Sequence, residues 1–252
     1  MCTNFDSPQP ELFRTDLNWP IPTFNYATAQ YPGYLAPVRL RDHESDEAVL
    51  REAMFGLVPF WSKDDKASRK TYNARSESVA SKASYREPWK KRRYALVPMA
   101  AFYEPDYETG KAVRWKIERQ DKRAFTVAAI WDYWKRPTGE GLHSFSMVTI
   151  NANDHPVMGR FHRPDGEKRS LVIVPPERRD EWLQATPNEA REFCRCPQKN
   201  LLRVPPQSNH RTSRLNQQTD VKGVASSKGN LCALSEARSR NRPTAVIDLC
   251  GA

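Results

Sequence analysis

All 26 aromatic residues of this 252-residue chain lie at or before Phe193. Large rings supply much of the area around which a core closes, so the residues after Phe193 have little from which to build one. Between 197 and 252, nine Lys+Arg stand against three Asp+Glu among many Ser, Asn, Gln and Pro, a composition expected to stay disordered. The chain therefore reads as one folded domain, 1–197, followed by a basic, aromatic-free tail, 198–252.

The tail carries +6 of the net charge of +10, which leaves the folded part only mildly basic. Excess positive charge favours polyanions such as nucleic acid over acidic partners, but charge alone does not separate DNA from RNA or from membrane headgroups. No apolar run approaches the roughly 20 residues needed to cross a bilayer. The opening MCTNFDSPQP lacks the basic flank and apolar stretch of a secretory leader, so a cytoplasmic protein is expected. The cysteines, at 2, 194, 196, 232 and 250, are odd in number, with no CxxC and no His at zinc-finger spacing. They support neither a disulfide framework nor a metal site, and no cofactor is expected.

Within 1–197, stretches rich in β-branched and aromatic residues predict strands at 93–101, 113–118, 124–133, 144–150 and 170–174. Helices are fewer. Thr186-Pro187-Asn188-Glu189 combines an N-cap, a first-turn proline and a capping-box glutamate, and 177–183, after two prolines, is a second candidate. The segment 6–37, with no sustained period, reads as ordered loop with short strands. These elements predict an α+β domain: a twisted, barrel-like antiparallel sheet with a few flanking helices.

Cys2 is the first candidate for chemistry. Methionine is normally removed before a small second residue, which would leave a free α-amine and a thiol on one residue. With an α-amine pKa of about 7.7–8.0, a sizeable minority is unprotonated near neutral pH and can attack an aldehyde. The imine so formed sits beside the thiol, and addition of the sulfur closes a five-membered thiazolidine that no longer carries a hydrolysable C=N bond.

Downstream blocks give this residue a context. Phe55-Gly56-Leu57-Val58-Pro59-Phe60-Trp61 precedes Tyr72-Asn73-Ala74-Arg75-Ser76-Glu77, and Arg92-Arg93-Tyr94-Ala95-Leu96-Val97-Pro98 leads to Ala101-Phe102-Tyr103-Glu104. Together with Met1-Cys2 they resemble the SOS response-associated peptidase (SRAP) family. The resemblance implies covalent shielding of abasic sites in single-stranded DNA through the N-terminal cysteine. It also implies roles for individual residues. Asn73 would bond the opened sugar or a phosphate, Glu104 would pass protons, Arg75 would hold phosphate and Trp61 would stack on a base or sugar.

The family's late histidine is less sharply matched, because Phe161-His162-Arg163-Pro164 departs from the usual His-x-Arg-Met-Pro. His162 is favoured over His155 because it precedes the turn at 164–166 and the strand at 170–174, with Arg163 or Arg160 as its arginine partner. Cys2-Thr3-Asn4-Phe5 also stands where many members read Cys-Gly-Arg-Phe, which removes one expected phosphate contact.

The expected partner is single-stranded DNA containing abasic sites, engaged by a monomer that associates with the nucleoid when bound to damage, without membrane or metal. Imine formation also acidifies the adjacent sugar carbon, so lyase activity with strand scission is compatible. Two other readings stay open: an N-terminal-nucleophile cysteine (auto)peptidase, in which the α-amine serves its own thiol, and a non-catalytic single-strand-binding module using Trp61, Arg75 and the basic block 86–93.

Overall fold

The computed structural model describes residues 2–42, 45–194 and 202–204. The chain opens with β1 (Phe5–Asp6), α1 (Pro10–Thr15), β2 (Ala29–Gln30), β3 (Leu35–Arg41) and β4 (Ala48–Phe55). After β5 (Asn73–Arg75) and α2 (Arg86–Lys90) come β6 (Tyr94–Met99), β7 (Ala101–Asp106), β8 (Val113–Arg119), β9 (Phe125–Lys135) and β10 (Gly141–Asn151). The last elements are β11 (Arg169–Leu171), β12 (Ile173–Val174), α3 (Arg179–Gln184), α4 (Pro187–Phe193) and β13 (Leu202–Arg203).

Five strands close on themselves in the order β10-β4-β3-β6-β9, with β9 pairing back to β10. Closure removes the free edges that an open sheet would expose. The expected barrel-like sheet is therefore present, though not wholly antiparallel: β10 runs parallel to both β4 and β5. Long stretches of chain separate β10 from these two partners, and parallel pairing requires such crossovers.

Alternation along the strands explains why β6 and β9 read as nearly continuous apolar runs. Ala95, Val97, Val127, Ala129, Phe145 and Met147 join one buried cluster, which also holds Phe5, Phe102 and Cys2. Their neighbours Tyr94, Leu96, Ala128, Ile130 and Val148 join a second cluster with Phe13, Trp89, Trp182 and Phe193 from the helices. Both faces of these strands are covered, so neither face needs polar residues.

A second sheet, in the order β13-β8-β7-β1-β2, positions the start of the chain. Only Ala100 separates β6 from β7, and its N–H donates to Asp6 O at 2.8 Å. The motif strand thus leaves the ring and continues into the second sheet, where Phe5 of β1 lies opposite Phe102 of β7 and Gln30 of β2.

The segment 6–37 contains a helix that its irregular sequence hid: α1 starts at Pro10 and buries Phe13. The strand expected at 170–174 is two short ones, β11 and β12, which pair with β10 and β9 respectively. The capping box at Thr186 forms as expected, the threonine side chain accepting from Glu189 N and the glutamate accepting from Thr186 N. The helix expected at 177–183 begins with a 3-10 turn at 176–178 and continues as α3.

Beyond residue 197, β13 pairs antiparallel with β8, and Leu202 is buried in the first cluster. This strand extends the folded part past the boundary drawn from the aromatic residues. The chain divides into a unit spanning Met1–Asn209 and a second, His210–Ala252; that second unit, which holds most of the predicted tail, lies outside the described residues.

Gly56 anchors the loop that carries Trp61. Its φ is +107°, and a Cβ there would sit 2.1 Å from the backbone oxygen of Ser68. A side chain at Gly56 therefore meets both an unfavourable backbone region and a rigid obstacle. Gly56→Ala is expected to cost about 3 kcal/mol or more, as an overpacked site under backbone strain does. The loss should appear as a lower urea midpoint at unchanged slope, and an unshifted midpoint would contradict this account of the motif glycine.

Candidate active site

Cys2 is 1% exposed, although it lies at the beginning of the described chain. Two contacts reach it directly, and a third fixes Asn4 beside it. Asn73, the first residue of β5, donates its Nδ2–H to Cys2 O at 2.8 Å, the thiol donates to Asn4 O at 3.4 Å, and Tyr103 N donates to Asn4 O at 3.1 Å. Asn4 Nδ2 in turn donates to Gln30 O at 3.0 Å. β5 is itself fixed by parallel pairing with β10 and by Tyr85, whose hydroxyl donates to Asn73 O. Asn73 Oδ1 is buried without a hydrogen-bond partner among the described residues, so it has an acceptor to offer an incoming group.

Glu104 lies within β7 and is 3% exposed. Burial, which disfavours the charged form, pushes its carboxyl up to about 7. The same loss of water, reinforced by Glu104, pushes the Cys2 thiol up to about 12. A neutral thiol is therefore the resting species at physiological pH.

His162 faces Glu104, with Nδ1 3.4 Å from Oε2. Its backbone is in the left-handed region, φ +67°, and its N–H donates to Pro105 O of β7 at 2.8 Å. Such a conformation costs about 1–3 kcal/mol unless the surroundings hold it. Here Lys168 Nζ donates to His162 O at 3.1 Å, and Arg160 grips Asp106 of β7 through Nε and Nη2 at 3.0 and 2.5 Å. Burial pushes the imidazole down to about 4, so the ring is neutral near pH 7.

The tautomer follows from the ring's other contact. Nε2 lies 3.3 Å from the carbonyl oxygen of Arg169, an acceptor, so Nε2 carries the hydrogen and the Nδ1 lone pair points toward Glu104. Burial thus lets Glu104 carry a proton near neutral pH, and that proton can be donated to the Nδ1 lone pair.

His155 stands elsewhere. Its Nδ1 accepts from Val157 N and Met158 N, each at 3.1 Å, which makes it the local anchor of the turn at 157–160. Of the arginines expected beside His162, Arg160 binds Asp106, and the residue whose carbonyl meets the imidazole is Arg169. The sequence reading did not single out Arg169. It is 2% exposed, forms a two-pronged ion pair with Glu77 at 2.9 and 3.0 Å, and donates to Thr149 O. Glu77 closes the Asn73-Ala74-Arg75-Ser76-Glu77 block, which gives that glutamate a structural role that could have signalled a buried basic partner.

Arg75 and Trp61 lie outside this buried set. Arg75 is partly exposed and pairs with Glu167 at 2.7 Å. Trp61 is 56% exposed beside an equally exposed Phe60, on a turn closed by Ser62 N donating to Pro59 O. An indole in that position is not filling the core. Arg114 of β8 is a second residue that sequence reasoning missed. It donates to Asn4 Oδ1 and lies over the Tyr103 ring at 3.3 Å from the centroid, so an arginine reaches position 4 from another strand. A cavity of about 380 Å³ beside the basic block 86–93 is lined by Arg86, Lys90 and Arg191, away from these residues in sequence.

Among the described residues, no group of three or more His, Cys, Asp or Glu side chains is arranged to hold a metal, and no helix is long and apolar enough to cross a membrane.

The model of the SOS response associated peptidase (SRAP) family matches residues 8–214. The chain is 30% identical over 135 residues to the abasic site processing protein YoqW of Bacillus subtilis, covering 53% of this chain and 57% of that protein. It is 32% identical over 136 residues to the abasic site processing protein HMCES of Gallus gallus, covering 45% of this chain and 40% of that one. The chain thus spans only about half the length of these relatives. Its fold matches the crystal structure of a Bordetella bronchiseptica protein with a TM-score of 0.72 at 29% identity, over 82% of this chain and 100% of that one.

The raised carboxyl of Glu104 has a measurable cost. A carboxyl whose pKa rises from 4.5 to about 7 on folding holds its proton more tightly in the native state, so stability falls as pH climbs between those values. Glu104→Gln removes that loss while keeping a donor for His162 Nδ1. The variant should match the parent near pH 4 and exceed it by roughly 3 kcal/mol near pH 8. Urea unfolding at the two pH values measures this, and a pH-independent difference would contradict the assigned burial cost.

Proposed function

The chain belongs to the SOS response associated peptidase family, and from that membership we propose that it captures abasic sites in single-stranded DNA by forming a covalent thiazolidine at Cys2. The observation that carries this reading is the meeting of residues 2, 73, 104 and 162, remote in sequence, around the buried Cys2 thiol. The reading requires removal of Met1, so that the Cys2 amine is free.

In the proposed reaction the ring-opened deoxyribose presents its aldehyde carbon to the Cys2 amine. Attack gives a carbinolamine, and protonated Glu104 supplies the proton with which its hydroxyl leaves as water. The thiol then adds to the same carbon while its proton passes to the resulting carboxylate. In sum, one aldehyde and one aminothiol become a thiazolidine and water.

Proton transfer by a positioned group is needed here because burial pushes the thiol up and keeps it protonated near pH 7. The carboxyl's value near 7 suits both halves of the exchange. His162, neutral and hydrogen-bonded through Nε2, would hold Glu104 and assist opening of the sugar ring. Asn73 Oδ1 would accept from a sugar hydroxyl, Arg75 would hold a phosphate, and exposed Trp61 would stack on a base.

All of these groups come from one chain, so the protein would act as a monomer. Lyase activity remains compatible, since the imine precedes ring closure. The thiol's raised pKa weighs against a cysteine peptidase, whose nucleophile is a thiolate.

A denaturing gel with an abasic single strand tests the proposal. The processed protein should give a heat- and detergent-resistant shifted band and an intact strand none, whereas equal retention of both strands without covalent product would favour simple binding. Cys2→Ser should lose the stable adduct yet keep a borohydride-trappable imine. His162→Ala should slow adduct formation by about 10²–10⁴-fold with little change in affinity. His155→Ala should instead cost about 1–3 kcal/mol of stability, because two amide N–H groups lose their acceptor. Slowing by His155→Ala alone would reverse the assignment.

A further inference from the structure

Arg75, the residue proposed to hold a phosphate, already has an anion on it. Glu167 stands on the loop between His162 and β11, with Oε2 2.7 Å from Arg75 Nη1 and Oε1 2.7 Å from Arg169 Nη1. One carboxylate thus bridges two guanidiniums with an oxygen on each. A phosphodiester carries the same single charge and offers two non-bridging oxygens in a similar arrangement.

Arg169 does not depend on this bridge. It keeps the paired contacts to Glu77, together with the carbonyl and hydroxyl of Thr149. For Arg75, Glu167 is the ion-pair partner among the described residues, and their side chains are 44% and 35% exposed. A pair this wet is screened and weak, so an incoming phosphate can replace it.

The loop that delivers the carboxylate is built rather than loose. Lys168 Nζ donates to the carbonyls of His162 and Arg163, Lys168 N donates to Asn153 Oδ1, and Gly166 N donates to Arg163 O. It occupies the interval that departs from the His-x-Arg-Met-Pro pattern.

We propose that Glu167 is an internal stand-in for a DNA phosphate, occupying Arg75 in the unbound protein and displaced by the backbone of an arriving single strand. The proposal rests on the reading of Arg75 as a phosphate contact. Binding then exchanges one anion for another, which holds down affinity for undamaged strands. An abasic strand escapes that penalty because the covalent bond at Cys2 retains it.

The test is fluorescence anisotropy of the full-length protein with a labelled intact single-stranded oligonucleotide, for the parent, Glu167→Gln, Arg75→Ala and the double variant. Glu167→Gln should bind about 3- to 5-fold more tightly, the range expected for release of an exposed pair. Its affinity should also fall more steeply with salt, the logarithmic slope changing by about 0.7 for one more phosphate neutralised. Arg75→Ala should weaken binding, and Glu167→Gln should then bring no gain in that background.

Weaker or unchanged binding by Glu167→Gln would overturn the proposal, leaving Glu167 as a clamp that orients Arg75 or as a bystander. An equal gain with and without Arg75 would also overturn it, by showing a general effect of charge. If Arg75→Ala itself leaves affinity unchanged, the phosphate role of Arg75 falls as well, an outcome distinct from failure of the displacement alone.

Discussion

Water is kept away from Cys2 by backbone contacts that an unanchored chain terminus would lack. Terminal residues usually fray unless tied into a sheet or docked. Here β1 is paired on both sides, by β2 and β7, and Asn73 holds the Cys2 carbonyl from a third strand. Burial of the thiol to 1% follows from that tethering, and the proton chemistry of the neighbouring groups follows from the burial.

The consequence is a site in which each titratable member is shifted toward its uncharged form. Burial raises Glu104, raises the thiol and lowers His162. Each group disfavours its charged form for the same reason, and together they describe one dry pocket. Such a pocket suits a reaction that expels water and moves protons between neutral partners. It is less suited to a standing thiolate. The ring of five strands contributes by passing β6 directly into β7, which carries Glu104 under the terminus, and by holding β5 and β11 on either side of β10.

Some of this was legible in the residues. β6, β9 and β10 announced themselves through apolar, β-branched runs, and α4 through its capping box. Cys2, Asn73 and Glu104 stood out because their surrounding blocks resemble a family pattern. β3 and β4 did not, because Pro37 interrupts the first, and Arg39, Arg41, Arg51 and Glu52 break the apolar pattern of both. Arg169 escaped notice because its significance lies in contacts with Glu77 and Thr149, far away in sequence. Glu167 was equally silent, since a loop glutamate gains meaning only from the guanidinium opposite it. The strand β13 was hidden by a composition that marks the residues around it as disorder-prone, and the interaction that orders it, Leu202 in the core and Arg203 on Glu118, is again long-range.

The central claim is that a buried, neutral thiol closes a ring on the carbon first captured by the amine. Nuclear magnetic resonance of an abasic oligonucleotide labelled with ¹³C at the aldehyde carbon tests it most directly, recorded after reaction with the processed protein. The account predicts that the labelled carbon ends as a tetrahedral centre bonded to nitrogen and sulfur. A stable trigonal carbon, the signature of an imine that never met the thiol, would contradict it.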